Sequence, residues 1–85
     1  MKLIGIKTGI ENILWSGLSI IFYVKHNTGD EFNYTVSYDI SKNQYIRYSV
    51  EFLADTINFE TVSQVLNFIE CEPETVISIE LEIIN

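Results

Sequence analysis

The chain has 85 residues, 47% of them hydrophobic, 13% aromatic and 20% charged. That composition describes one small domain, residues 1–85, with a packed core, and excludes a disordered chain. Twelve acidic against five basic residues give a formal net charge of −7, so the chain lacks the basic footprint that direct binding to nucleic acid or to an anionic membrane requires.

Residues 2–7 read as a short strand, and residues 8–17 admit two readings. Thr8-Gly9 turns a tight hairpin, or Gly17 is a bulge in one long strand from about 12 to 26. Trp15 is expected over one end of the core. The period-two alternation that follows is the signature of half-buried strands. It predicts a meander of three strands, 18–26, 31–39 and 44–54. Leu18, Ile20, Phe22 and Val24 share one face with Phe32, Tyr34, Val36 and Tyr38, and with Ile46, Tyr48, Val50 and Phe52.

The loops are read as Asn27-Thr28-Gly29 and Ser41-Lys42-Asn43, each with its third residue in the left-handed region. Closing them at His26/Asp30 and Ile40/Gln44 sets the register. The first hairpin then pairs Val24 with Phe32, Phe22 with Tyr34, Ile20 with Val36 and Leu18 with Tyr38, and sets Lys25 opposite Glu31. The second pairs Tyr38 with Ile46, Val36 with Tyr48, Tyr34 with Val50 and Phe32 with Phe52.

Helical spacing takes over at Phe59, Val62, Val65, Leu66 and Ile69, predicting a helix over 59–70 with Asn58 as N-cap. After Pro73, the only proline, alternation returns and predicts a last strand over 75–84. One crossover helix brings that strand back parallel to residues 44–54, on either edge of the sheet. The expected fold class is α+β: a two-layer domain with a roughly five-stranded, mostly antiparallel twisted sheet and one helix on its apolar face.

The longest apolar run, Ile20 to Val24, is far short of the roughly 20 residues of a membrane span. The N-terminal residues lack the apolar run and cleavage site of a signal peptide. Cys71, the single cysteine, cannot close an internal disulfide, which fits a reducing cytoplasm.

Catalytic chemistry finds little support. His26, Asp30 and Glu31 at a hairpin mouth are three candidate metal ligands, but acids and histidine at a turn are ordinarily solvated. Glu70, Glu72 and Glu74 around Cys71 would raise a thiol pKa rather than activate it. A glycine-rich phosphate loop is lacking. The expectation is no enzyme, no cofactor and no bound metal.

The polar face is more informative. It is expected to carry Glu31, Asp39, Glu51, Glu80 and Glu82 against Lys25 and Arg47, with Tyr23 and Tyr45 as aromatic anchors. Glu70, Glu72 and Glu74 form a second acidic corner, where carboxylates at a helix C-terminus oppose its dipole.

Size, charge and lack of catalytic motifs together suggest a protein-binding inhibitor. Its carboxylates would occupy the basic surface of a nucleic-acid-handling enzyme, a nuclease for example, as immunity proteins and phage anti-restriction or anti-CRISPR proteins do. The alternative is an assembly module that forms a homodimer or strand-pairing complex through an exposed sheet edge, with residues 75–84 as the β-prone segment.

Overall fold

Alternation along the middle of the chain and helical spacing at both ends of it build the observed architecture. The computed structural model describes residues 2–40 and 48–85. A 3-10 helix, Leu3–Ile6, leads into α1 (Lys7–Trp15). Strands β1 (Ser19–His26), β2 (Glu31–Tyr38), β3 (Tyr48–Phe52) and β4 (Asp55–Phe59) follow, then α2 (Val62–Ile69) and β5 (Val76–Ile84). The strands form one antiparallel open sheet in the order β4-β3-β2-β1-β5. The fold is α+β, with a five-stranded sheet as expected and two α-helices in place of one.

The first hairpin adopts the predicted register: Val24 faces Phe32, Phe22 faces Tyr34, Ile20 faces Val36 and Lys25 faces Glu31. Leu18 lies just before β1. Gly29 takes φ +94°, and the turn closes through His26 N–H donating to the Asp30 carbonyl at 2.9 Å.

The second hairpin is displaced. Tyr38 faces Tyr48 and Val36 faces Val50, two residues away from the expected pairing with Ile46 and Tyr48. A slip of two leaves every side chain on its expected face, because the strand period is two. The predicted loop Ser41-Lys42-Asn43, its closing residue Gln44, and Tyr45, Ile46 and Arg47 lie outside the described residues.

Three expectations are corrected. The N-terminal segment is helical rather than extended. Leu3, Ile10 and Leu14 are buried and Ile13 packs against them, a spacing that turns one helical stripe onto the sheet. The Thr8-Gly9 hairpin and the Gly17 bulge both give way to α1, which is capped by Ser16, with Gly17 at φ +94° serving as the left-handed residue that follows the helix.

The predicted helix starts later than expected, and its expected N-cap Asn58 and first residue Phe59 belong to a strand. Asp55–Phe59 pairs with β3, Asn58 faces Ser49, and the N-cap is Thr61. The Thr61 hydroxyl accepts from Gln64 N–H at 3.2 Å, while Gln64 Oε1 accepts from Thr61 N–H, a reciprocal capping box.

The extra strand also reverses the last one. β5 pairs with β1 and runs antiparallel to it, hence antiparallel to β3 rather than parallel to residues 44–54, because β4 adds one more turn of the chain.

The core lies between the sheet and the helices. Ile20, Phe22, Val24, Val36 and Val50 from the strands meet Ile10 and Leu14 of α1 and Val62, Val65, Leu66 and Ile69 of α2. Aromatic rings extend it: Tyr34 stacks on Phe52 at 4.8 Å and meets Phe68 edge-on at 5.8 Å. Trp15 is half exposed, and its indole N–H donates to the hydroxyl of the buried Tyr48 at 2.8 Å. α1 lies over β1 and β2, α2 lies over β3 and β4, and neither helix packs substantially on β5.

Candidate functional site

The face of the sheet turned away from the helices collects the residues that alternate with the core. Across β5, β1 and β2, Tyr23 sits between Glu80 and Asn33, Ile21 between Glu82 and Thr35, and Lys25 between Ser78 and Glu31. On β3, Glu51 faces Thr35 and Thr56, and Ser49 faces Ser37 and Asn58. The register thus gathers Tyr23, Glu31, Glu51, Glu80 and Glu82 on one surface. Neighbouring strands are about 4.8 Å apart and same-face residues about 6.7 Å apart along a strand, so the carboxylates form an open grid.

Among the described residues of this face, four carboxylates stand against one ammonium, a local charge of 1 − 4 = −3. Lys25 Nζ lies 3.7 Å from Glu31 Oε1. This exposed pair is worth about 0–1 kcal/mol and is weakened by salt. The Ser19 and Ser37 hydroxyls are 2.8 Å apart. Asp39 follows the last residue of β2, and Tyr45 lies outside the described residues.

Two shallow hollows of about 350 Å³ interrupt the face. One is bordered by Tyr23, Lys25, Glu31, Asn33, Ser78 and Glu80. The other lies beside Thr35, Glu51, Thr56 and the β3–β4 turn. Thr56 and Asn58 enter this surface through β4, and the alternation of Asp55-Thr56-Ile57-Asn58-Phe59 is the signal that could have placed them.

That β3–β4 turn is itself unusual. Leu53 and Ala54, at φ 52° and 68°, occupy the two left-handed positions of a tight hairpin that ordinarily selects Asn-Gly. Leu53 is 77% exposed at its tip.

The second acidic group, Glu70, Glu72 and Glu74, does not present three equivalent carboxylates. Glu70 turns toward the N-terminal helix, where its Oε1 accepts from Leu3 N–H at 2.5 Å, and its Oε2 is buried. Glu72 and Glu74 are exposed, as is Cys71. The Tyr34 hydroxyl approaches this corner from the core. Burial pushes its pKa above the ordinary 10.0, and the Cys71 and Glu72 charges push it further.

His26 leaves the hairpin mouth for the interior. It is only 6% exposed, its ring meets Phe32 edge-on at 5.5 Å, and its Nδ1 lies 2.7 Å from Thr75 Oγ1. The Thr75 hydroxyl donates to the Glu72 carbonyl at 3.0 Å. Its one proton is therefore spent, so His26 Nδ1 carries the hydrogen and donates to Thr75. Instead of joining Asp30 and Glu31, His26 pins the 71–75 turn to β1. No group of three or more metal-ligating side chains occurs among the described residues, and no helix among them is long and apolar enough to cross a membrane.

In comparisons with known proteins, the chain matches no family model, no curated protein and no solved structure.

Proposed function

We propose that this chain is a small protein-binding inhibitor whose acidic sheet face occupies a basic surface of a nucleic-acid-handling enzyme, in the manner of immunity, anti-restriction or anti-CRISPR proteins. The observation that supports this reading is the grouping of Glu31, Glu51, Glu80 and Glu82 around Tyr23 on one open face. Carboxylates fixed on a sheet need little reorganisation to meet lysines and arginines, and their summed field steers a basic partner into contact. Tyr23 supplies a rigid amphipathic ring of the type enriched at binding hot spots. A cytoplasmic setting belongs to the same proposal, in keeping with the exposed, unbridged Cys71.

The test begins with capture on the immobilised protein from host lysate at low salt, eluted by a salt ramp. The expected result is a nuclease or related enzyme released as salt rises and inhibited by the purified chain. Glu31→Lys combined with Glu51→Lys should abolish that inhibition while leaving the fold intact by circular dichroism. Absence of an inhibited enzyme, or inhibition indifferent to both substitutions, overturns the reading.

A further inference from the structure

We infer that β5 is a self-pairing edge, through which two copies of this chain join antiparallel strands about a two-fold axis at Leu81. The inference rests on the backbone and the apolar side chains of β5, and is independent of the acidic-face reading.

β5 ends the strand order and, among the described residues, is hydrogen-bonded on one flank only, to β1. At nine residues it is the longest strand among the described residues, whereas the opposite edge, β4, has five. A long edge leaves a row of main-chain N–H and C=O groups that only another strand can pair in order.

The side chains point to the same conclusion. Ile79, Leu81 and Ile83 lie opposite Val24, Phe22 and Ile20, on the face that the helices cover elsewhere. Ile79 is buried in the core, but with neither helix packed substantially on β5, Leu81 is 38% and Ile83 53% exposed, and Ile77 beside them is 62% exposed. Among the described residues, no other strand exposes three large apolar residues. A strand paired to this edge would therefore need apolar side chains on the helix side, beside Leu81 and Ile83.

The register follows from an irregularity. The β1–β5 ladder shifts between Lys25 and His26, so the regular part of β5 runs from Ser78 to Ile84. Its midpoint is Leu81. A two-fold there sets Leu81 against its counterpart and Ile79 against Ile83, apolar to apolar on the helix side, with Ser78 against Ile84 at the ends of the open side. It also sets Glu80 against Glu82 twice on the open side. The two sheets become one of ten strands, with four carboxylates grouped around the axis.

Those facing acids give the pairing a recognisable charge signature. Like charges directly opposite each other destabilise a sheet, and salt screens them. Self-association should therefore strengthen with salt, opposite to binding of a basic partner. Glu80→Lys turns both Glu80–Glu82 appositions into attractive pairs and should tighten the dimer roughly tenfold at low salt. Glu82→Lys should do the same, and the double substitution should return the repulsion.

The experiment is sedimentation equilibrium of the purified full chain over a range of concentration and salt. The expected result is a shift from 9.8 kDa to twice that mass, favoured by salt, strengthened by Glu80→Lys, and lost in Leu81→Lys. Leu81 is partly exposed, so that variant should keep its circular dichroism spectrum. Ile83→Lys, at a more exposed position, is the second variant should Leu81→Lys fail to fold. A monomer at every concentration and salt overturns the inference and leaves the edge to a foreign strand. A dimer that Leu81→Lys or Ile83→Lys leaves intact, or that Glu80→Lys fails to strengthen, overturns it equally.

Discussion

The carboxylate of Glu70 holds the main-chain N–H of Leu3, 67 residues away in sequence. The contact joins the end of α2 to the start of the N-terminal helix, satisfying a donor that a helix start leaves without an internal partner. A carboxylate that merely opposes the α2 dipole would be a small liability, but here it serves the helix beside it.

Glu70→Ala should therefore lower stability by about 1–2 kcal/mol, the usual cost of orphaning a partly buried donor. Glu72→Ala and Glu74→Ala, both at exposed positions, should each stay within about 0.5 kcal/mol of the parent. Urea midpoints at constant m-value separate the three.

The β3–β4 turn predicts a change in the other direction. Left-handed backbone costs an L-residue about 1–2 kcal/mol, and Leu53 and Ala54 both adopt it. Leu53→Asn with Ala54→Gly should raise stability by about 1 kcal/mol net, after the greater unfolded-state freedom of glycine is counted. Leu53→Val, with a β-branched side chain in the same conformation, should lower it. Denaturant unfolding of the two variants checks both signs.

Tyr34 predicts the alkaline limit. Its folded pKa is raised above 10.0, by burial first and then by the Cys71 and Glu72 charges. The unfolded chain therefore loses the phenolic proton first as pH climbs through about 10. Over that window the unfolded state binds fewer protons than the folded one, so the Tyr34 contribution is complete below pH 10 and falls as pH rises toward the folded pKa. Tyr34→Phe should remove that share of the decline, visible as a shallower fall in melting temperature as pH rises above about 10.

The His26–Thr75 pair predicts a defined tautomer. Nitrogen-15 spectra should show hydrogen on Nδ1 of neutral His26. Thr75→Val keeps the shape but removes the acceptor, and should cost about 1–3 kcal/mol by leaving a buried N–H unpaired. A spectrum with hydrogen on Nε2 would contradict the assignment.

What the sequence made legible follows from how strongly each feature depends on periodicity. The first hairpin was readable in register from Ile20 to Lys25, the partner of Glu31, because Asn27-Thr28-Gly29 fixes its loop length and a one-residue slip would bury Glu31 and Asn33. Its outermost expected pair, Leu18 with Tyr38, was not. The second was readable in face but not in register, since a two-residue slip leaves Val36, Tyr48 and Val50 in the core either way. β4 was hidden because Phe59 satisfies both periods: with Ile57 it continues a strand, and with Val62 and Leu66 it begins a helical stripe. The N-terminal helix was hidden for a similar reason, as Leu3-Ile4-Gly5-Ile6 resembles a strand until Ile10, Ile13 and Leu14 are counted with Leu3.

For the acidic face, Glu31, Glu51, Glu80, Glu82 and Tyr23 share one surface because alternation alone assigns them to it. The burial of His26 and the inward turn of Glu70 depend on Thr75 and Leu3, distant in sequence, and no local pattern carries such information.

The place of β5 beside β1 bears on the order in which the fold can be assembled. During synthesis, β1 to β4 can pair by successive hairpins as they emerge, each closing a short loop. One flank of β1 must nevertheless wait for residues 76–84, since Ile20 pairs with Ile83. Such long-range closure slows folding. Until it occurs, the nascent chain carries β1, its most buried strand, with an open edge, and that interval is when a holding chaperone would find something to bind.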